Sequence, residues 1–399
     1  MSEPGPIGER VRALRQNRYP RMTQRELADA AGISVDVISK LEQGSKQTAL
    51  LVTLHQIARA LDVNVSDLLG ADQRIDQDSS TGDAGVIAIR RALLARSAAD
   101  GPAVPDGDLD RSVNFAWGAY WHGRYDTLGA TLPELITQAR TSNRLSGTPR
   151  SAVRLADSYG VTASTLVHLG ELDLAYLAMD RALSTAEHGD DPLYRAALNG
   201  WMSWLLLHQT GTLDEAYAVA VTAAGDLRGN DDPRALSVWG SLLLSAGVAA
   251  ARIEDVDAAD AFLREARSAA ERLLNLGFPI RRDYESSFGV AQVVMQSVDV
   301  AVVTDRPGRA LDLARAFPPD ADLPIASRAR HLADRAYALA ALDKDEEALD
   351  VLLTIEHLAP QWIRFQTYPR SVIRELVERE RRARTPRLRG LAERLGLVA

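Results

Sequence analysis

The sequence predicts an all-α protein: a small five-helix N-terminal module followed by a long array of stacked helix pairs. Three observations lead there. From Val86 onward, alanine and leucine recur at three- and four-residue spacing, the period of a helix with one buried face. Gly, Asp and Pro break that pattern about every twenty residues, as turns between helices do. No segment shows convincing strand alternation, and the apolar run 290–304 is long enough to favour a buried helix.

Composition agrees. The chain has 399 residues, 46% hydrophobic and 25% charged, the mixture of a globular protein. That length favours several domains or a repeat array over one core. A net charge of −8 excludes a protein that coats nucleic acid along its whole length, but not a small DNA-reading module on an acidic body. Cysteine is absent, which excludes disulfides, thiolate metal sites and a thiol nucleophile. The N-terminus lacks the apolar core of a secretory signal, and runs such as 241–251 are too short to span a bilayer. A cytoplasmic protein with no membrane partner is expected, on the nucleoid when bound to DNA.

The N-terminal module is justified element by element. A first helix over 7–16 carries Arg10, Arg12 and Arg15, with Arg18 and Arg21 after it. Thr23 and Glu26 form a capping box, so the second helix starts at Gln24. Leu27, Ala28 and Ala31 make its inner face, and Gly32 closes it in the left-handed conformation. Ser34 caps a third helix from Val35 to about Glu42. Two short helices joined by a tight Ala-Gly-Ile turn are a helix-turn-helix. Ile38 and Leu41 face inward, while Val35, Asp36, Ser39 and Lys40 face outward, the geometry that enters a major groove. Thr48 caps a fourth helix to Leu61, and 66–69 make a fifth. Between Ile7 and Lys46, eight basic residues face five acidic ones, so the module is locally positive.

These residues resemble the Cro/C1-type (XRE) helix-turn-helix family. The match lies in Arg12-Ala13-Leu14-Arg15, Thr23-Gln24-Arg25-Glu26-Leu27-Ala28, Ala31-Gly32-Ile33-Ser34, Ile38-Ser39-Lys40-Leu41-Glu42-Gln43-Gly44 and Leu54-Ile57-Ala58-Ala60-Leu61. It covers about a sixth of the chain and implies a double-stranded DNA partner. It further implies that Gln24 contacts phosphate, that Val35, Asp36 and Lys40 read bases, and that Gln43 and Lys46 hold the backbone. Arg25, Ser34 and Ser39 complete the candidate DNA-binding set. Val35 and Asp36 depart from the family's usual Gln, Arg or Ser. Valine touches only a thymine methyl, and aspartate accepts from cytosine while repelling phosphate. Either the operator is unusual or affinity depends on dimerisation.

On this reading residues 1–70 are the DNA-binding domain. The polar, glycine-bearing stretch 71–85 is a linker. Residues 86–399 are a repeat domain, with basic capping helices over 371–399. Its repeating unit is a turn, Asp-x-Ala and a second helix, at Gly123, Gly170, Gly211, Glu254, Asp305 and Asp343. Small residues mark the helix crossings, and Asp is expected to cap each second helix. A single hairpin cannot bury its apolar face, so the hairpins stack. The array resembles the tetratricopeptide-like α-solenoids that follow an XRE-type module in bacterial regulators, in which the first helix of each repeat lines a ligand-binding concave face. That implies a peptide, small-molecule or protein ligand met by Asn114, Trp117, Asn199, Trp201, Tyr284, Arg330 and Arg335, and a homodimer is expected because one recognition helix covers only a half-site. Asn holds a peptide backbone and Arg forks onto a carboxylate. Tyr159 and Trp204 read as core, and His122, His168 and His208 as cations suited to helix C-termini. The arginines from 379 to 389 form either a phosphate patch or a solvated cap.

Nucleotide-loop, dinucleotide and nucleophile-elbow motifs are absent, as is metal-ligand spacing. No cofactor and no enzymatic activity are expected. The alternative is a protein-interaction scaffold whose small bundle does not bind DNA.

Overall fold

The computed structural model describes residues 7–17, 22–44, 51–61, 63, 68, 80–95, 101–318, 320–379 and 386–397. The expected contributions of Arg18, Arg21, Lys46, Thr48 and most of the fifth helix therefore lie outside the described residues.

The N-terminal module contains α1 (Ile7–Asn17), α2 (Gln24–Ala31), α3 (Val35–Glu42) and α4 (Leu51–Leu61). The caps predicted for α2 form. The Glu26 amide donates to Thr23 Oγ1 at 3.2 Å, the Thr23 amide donates to Glu26 Oε2 at 2.6 Å, and Gly32 closes α2 at φ 65°. Val11, Leu27, Ile38, Leu41, Ile57 and Leu68 build the core. α1 lies so close to α3 that a Cβ on Gly8 would run into the Leu41 carbonyl.

The array begins with α5 (Ser80–Leu94), whose start falls inside the stretch read as linker. Gly85 meets Gly129 there, so the two backbones cross with no side chain between them. Six helix pairs follow: α6 (Asp106–Trp121) with α7 (Tyr125–Ser146), α8 (Pro149–His168) with α9 (Leu172–Ala186), α10 (Pro192–Leu206) with α11 (Leu213–Asp226), α12 (Pro233–Arg252) with α13 (Val256–Asn275), α14 (Val290–Val303) with α15 (Pro307–Ala314), and α16 (Ile325–Ala341) with α17 (Asp345–Leu358). The turn in each pair uses a left-handed residue at the position the sequence marked. These are Gly123, Gly170, Gly211, Glu254, Asp305 and Asp343, at φ 68°, 77°, 77°, 68°, 54° and 58°. Buried alanines, such as Ala175, Ala178 and Ala182 of α9, let the paired helices approach closely.

The expected capping differs. Among the second helices only α13 is capped by an aspartate, Asp255. Asp126, Asp173, Asp214, Asp257 and Asp345 lie in first turns, where a negative charge suits the helix dipole. The side-chain caps sit on first helices instead, from Thr148, Asp191 and Asp232. α12 is long and apolar enough to cross a membrane by length and composition, but 83% of its most apolar window is buried within the array.

First helices pack in order, and α16 reaches back to α6. α18 (Pro360–Phe365) completes a ring. Trp362 packs on Gly123, Phe365 meets Tyr125 edge-on at 5.1 Å, and Gln366 Nε2 donates to His168 Nδ1 at 3.0 Å. α19 (Thr367–Arg379) and α20 (Pro386–Arg394) finish the chain. Several of their arginines pair with acids: Arg379 with Asp345 and Glu375, Arg387 with Asp350, Arg389 with Glu393 and Arg394 with Glu356; Arg370 donates to the Arg364 carbonyl. These pairs tie both helices to α17, while Arg381, Arg382 and Arg384 lie outside the described residues.

Among the described residues one element departs from an all-helical pattern. A hairpin of β1 (Ile280–Asp283) and β2 (Ser286–Gly289) links α13 to α14. Its two-residue turn, Tyr284-Glu285, has φ 52° and 59°, the left-handed pair such hairpins need. Neither residue is Gly or Asn, so long-range contacts hold the turn. Tyr284 Oη donates to Asp191 Oδ2 at 2.6 Å, and Trp121 Nε1 donates to Glu285 Oε2 at 3.1 Å. Phe288 is fully buried over Gly240 of α12.

Candidate DNA interface and ligand cavity

The outer surface of α3 is free of packing. Val35, Asp36 and Lys40 are exposed, Ser39 is half-buried, and Gln43 and Arg25 are exposed. Ser34 Oγ accepts from the Asp36 amide at 3.2 Å, so its hydroxyl works first as a cap. Lys40 Nζ lies 2.6 Å from Asp36 one turn earlier, and Gln43 Nε2 donates to Ser39 Oγ at 3.0 Å.

Behind α3 lies a charge network that sequence reasoning missed. Arg15 Nε and Nη2 donate to the two oxygens of Glu42 at 2.7 and 2.8 Å, and Gln24 Nε2 donates to Glu42 Oε2 at 2.7 Å. Burial pushes the Glu42 carboxyl up, but hydrogen bonds from Arg15 and Gln24 outweigh it and hold the group below its usual range. Gln24, expected on phosphate, and Arg15, one of the module's basic residues, thus brace the end of α3. Arg10 likewise donates to the Leu68 carbonyl at 2.9 Å.

The ring of first helices encloses a cavity of about 1030 Å³. Its walls differ in chemistry. α6, α8, α10 and the turn after α10 supply Tyr120, Trp121, His168, Trp201, Trp204 and His208. Trp201 is central, with ring centroids 5.7 to 6.0 Å from Trp204, Trp121 and Tyr120. Burial drives the His168 imidazole down to about 3 and His208 to about 4, so both are neutral, not the helix-end cations expected. His208 Nδ1 lies 2.9 Å from the Trp204 carbonyl.

The opposite wall is ionic. Arg252 Nη1 and Arg330 Nη2 donate to Asp299 Oδ2 and Oδ1 at 3.2 and 2.8 Å. Arg330 Nε lies 3.4 Å from Asp334 Oδ1, and its guanidinium stands 5.7 Å from the Tyr368 ring centroid. Burial pushes the Asp299 carboxyl up, but the two arginines outweigh it and hold it low. Burial also pushes Asp334 up, and there Arg330 and Arg252 do not compensate. Neither Asp334 oxygen accepts a hydrogen bond, and Ser241 Oγ and Gln292 Oε1 on the same wall also lack partners.

Of the sequence candidates for a ligand, Trp201 and Arg330 line this cavity. Trp117 packs behind Trp201 at 5.5 Å, and Tyr284 sits at the hairpin tip. Asn114 is exposed, Asn199 donates to the Arg195 carbonyl, and neither they nor Arg335 line it. Trp204, read as core, lines it, while Tyr159 is core as expected. Arg252, Asp299 and Asp334 were missed because they lie on three different helices with no spacing in common.

The comparisons bear on the N-terminal module. The Cro/C1-type HTH DNA-binding domain family matches residues 20–73. The uncharacterized HTH-type transcriptional regulator RghRB of Bacillus subtilis (strain 168) is 31% identical over 99 residues, spanning 23% of this chain and 70% of that protein. A solved structure, the apo form of the competence regulator ComR from Streptococcus vestibularis, aligns over 82% of this chain and 97% of that one at 13% identity, with a TM-score of 0.29, too low to argue from. On its N-terminal module, the chain belongs to the Cro/C1-type helix-turn-helix transcriptional regulators.

Proposed function

We propose that this regulator binds operator DNA as a homodimer and senses a ligand in the cavity of its repeat ring. α3 lies in the major groove. Val35, Asp36, Ser39 and Lys40 face the bases, while Gln24, Arg25, Ser34, Gln43 and Lys46 position the backbone. The observation that carries this reading is the exposed N-terminal half of α3 on a module of a DNA-binding family. A homodimer follows because one such helix covers only a half-site. The DNA-binding domain runs over residues 1–70, and the repeat domain is taken from Ser80.

Two residues support coupling between the parts. Ala58 and Val63 of the N-terminal module line the cavity together with the repeat helices, and α4 packs on α19. A ligand that favours one arrangement of these surfaces shifts the placement of the paired DNA-binding heads.

The test is binding of the full-length protein to genomic fragments, including its own upstream region, at two salt concentrations. Saturable binding to a few fragments that survives higher salt supports the reading. Equal binding to all fragments at low salt alone refutes sequence-specific readout. Lys40→Ala and Arg25→Ala are the informative variants, because Gln24→Ala would also disturb Glu42. Light scattering with and without operator DNA tests the dimer.

A further inference from the structure

We infer that the cavity binds a compact organic acid, with a flat apolar body on the tryptophan wall and a carboxylate on the guanidiniums of Arg330 and Arg252. This rests on the ligand-sensing reading above and specifies its ligand.

The ionic wall is formally balanced, with two arginines and two aspartates, yet it presents only one sign to the cavity. The Arg330 and Arg252 side chains are 37% and 21% exposed, and that surface faces the cavity they line. The Asp299 and Asp334 side chains, at 7% and 1%, lie behind them. A molecule inside the ring therefore meets cations first. Asp299 is saturated by its two arginines and has no capacity for a ligand cation. Asp334 faces Arg330 on its own helix, Asp299 on α14, Arg252 on α12 and Tyr368 on α19. Burial pushes its carboxyl up, which weakens the negative charge standing behind the two guanidiniums. A guanidinium fork matches a carboxylate in geometry as well as in charge.

The opposite wall sets the shape of the rest. Trp121, Trp201 and Trp204 supply half-buried indoles, and the two histidines beside them are neutral. The ring is also closed by Gln366 on His168, which suits a compact guest.

The experiment is titration calorimetry of the full-length protein with three probes of one shape: 2-naphthoate, 2-naphthamide and naphthalen-2-ylmethylammonium. The acid is expected to bind about ten-fold or more tighter than the amide, as a charge-assisted fork does, and the ammonium weakest. Arg330→Gln is expected to bring the acid down to the amide's affinity and to leave the amide unchanged. The inference is overturned if the amide or the ammonium binds as tightly as the acid, if none of the three binds, or if Arg330→Gln keeps the preference. The wild-type comparison of probes decides the matter even where that variant fails to fold. Operator affinity with saturating naphthoate is read separately. Tight acid binding with unchanged operator affinity supports the acid site and refutes the sensing role.

Discussion

Gly240→Ala probes the hairpin that roofs the ring. Phe288 is fully buried, and a Cβ on Gly240 would overlap three atoms of its ring, Cζ, Cε1 and Cε2. No rotation of the ring about its own axis clears all three. The protein has two responses. Straining the socket costs about 1–3 kcal/mol, the usual range for overpacking. Expelling the ring returns roughly 150–250 Å² of aromatic surface to water, about 4–6 kcal/mol at ~25 cal/mol per Å². Pins at Asp191 and Trp121 oppose expulsion, so a loss near the top of the strain range, about 3 kcal/mol, is expected. All six tryptophans lie in the repeat array, so urea unfolding followed by their fluorescence reports on it alone. Phe288→Ala by itself costs about 3–5 kcal/mol. The double variant is expected to be no less stable than Phe288→Ala, since the new methyl then enters vacated space. Losses that simply add, or a Gly240→Ala variant within about 0.5 kcal/mol of wild type, refute the socket.

Arg15→Met strands the buried Glu42 carboxylate and is expected to cost about 3–5 kcal/mol, unfolding the DNA-binding module while tryptophan fluorescence of the array stays unchanged; Arg15→Met with Glu42→Leu restores the module in circular dichroism melts. Burial raises the Asp157 carboxyl to about 7, above its usual 3.8, so the fold holds that proton better than the unfolded chain does. Its protonated form favours the fold, and that contribution is lost as pH rises from about 4 to about 7; Asp157→Asn is expected to flatten the fall in melting temperature over this window, and an unchanged slope refutes the assignment. Glu254→Gly removes a left-handed glutamate and is expected to stabilise the array by about 0.5–1 kcal/mol in the same urea assay.

Local chemistry was legible in the sequence where it repeats or obeys short-range rules. The Thr23–Glu26 capping box, the Gly32 turn and the buried faces of α2 and α3 follow from residues three or four apart. The six turn positions did too, although glutamate or aspartate replaces glycine in the last three. What escaped depends on contacts between distant segments. The pairing of Arg15 with Glu42 joins residues 27 apart, and the ionic wall draws on α12, α14 and α16. Ring closure brings Gln366 to His168 across 198 residues. The hairpin escaped for a different reason. Its turn residues, Tyr284 and Glu285, lack the Gly or Asn that announces such a turn, because tertiary pins supply what local propensity does not.

Closure of the ring also limits how such a protein can diversify. An open solenoid lengthens or shortens by whole units, since each unit touches only its neighbours. Here the first two pairs and the segment after the sixth share a seam at Gly123, Tyr125 and His168. Adding or deleting one unit would pull that seam apart. Relatives built on this plan are therefore bound to a fixed copy number, and new specificities arise by exchanging side chains on the inner helices or by remodelling the hairpin.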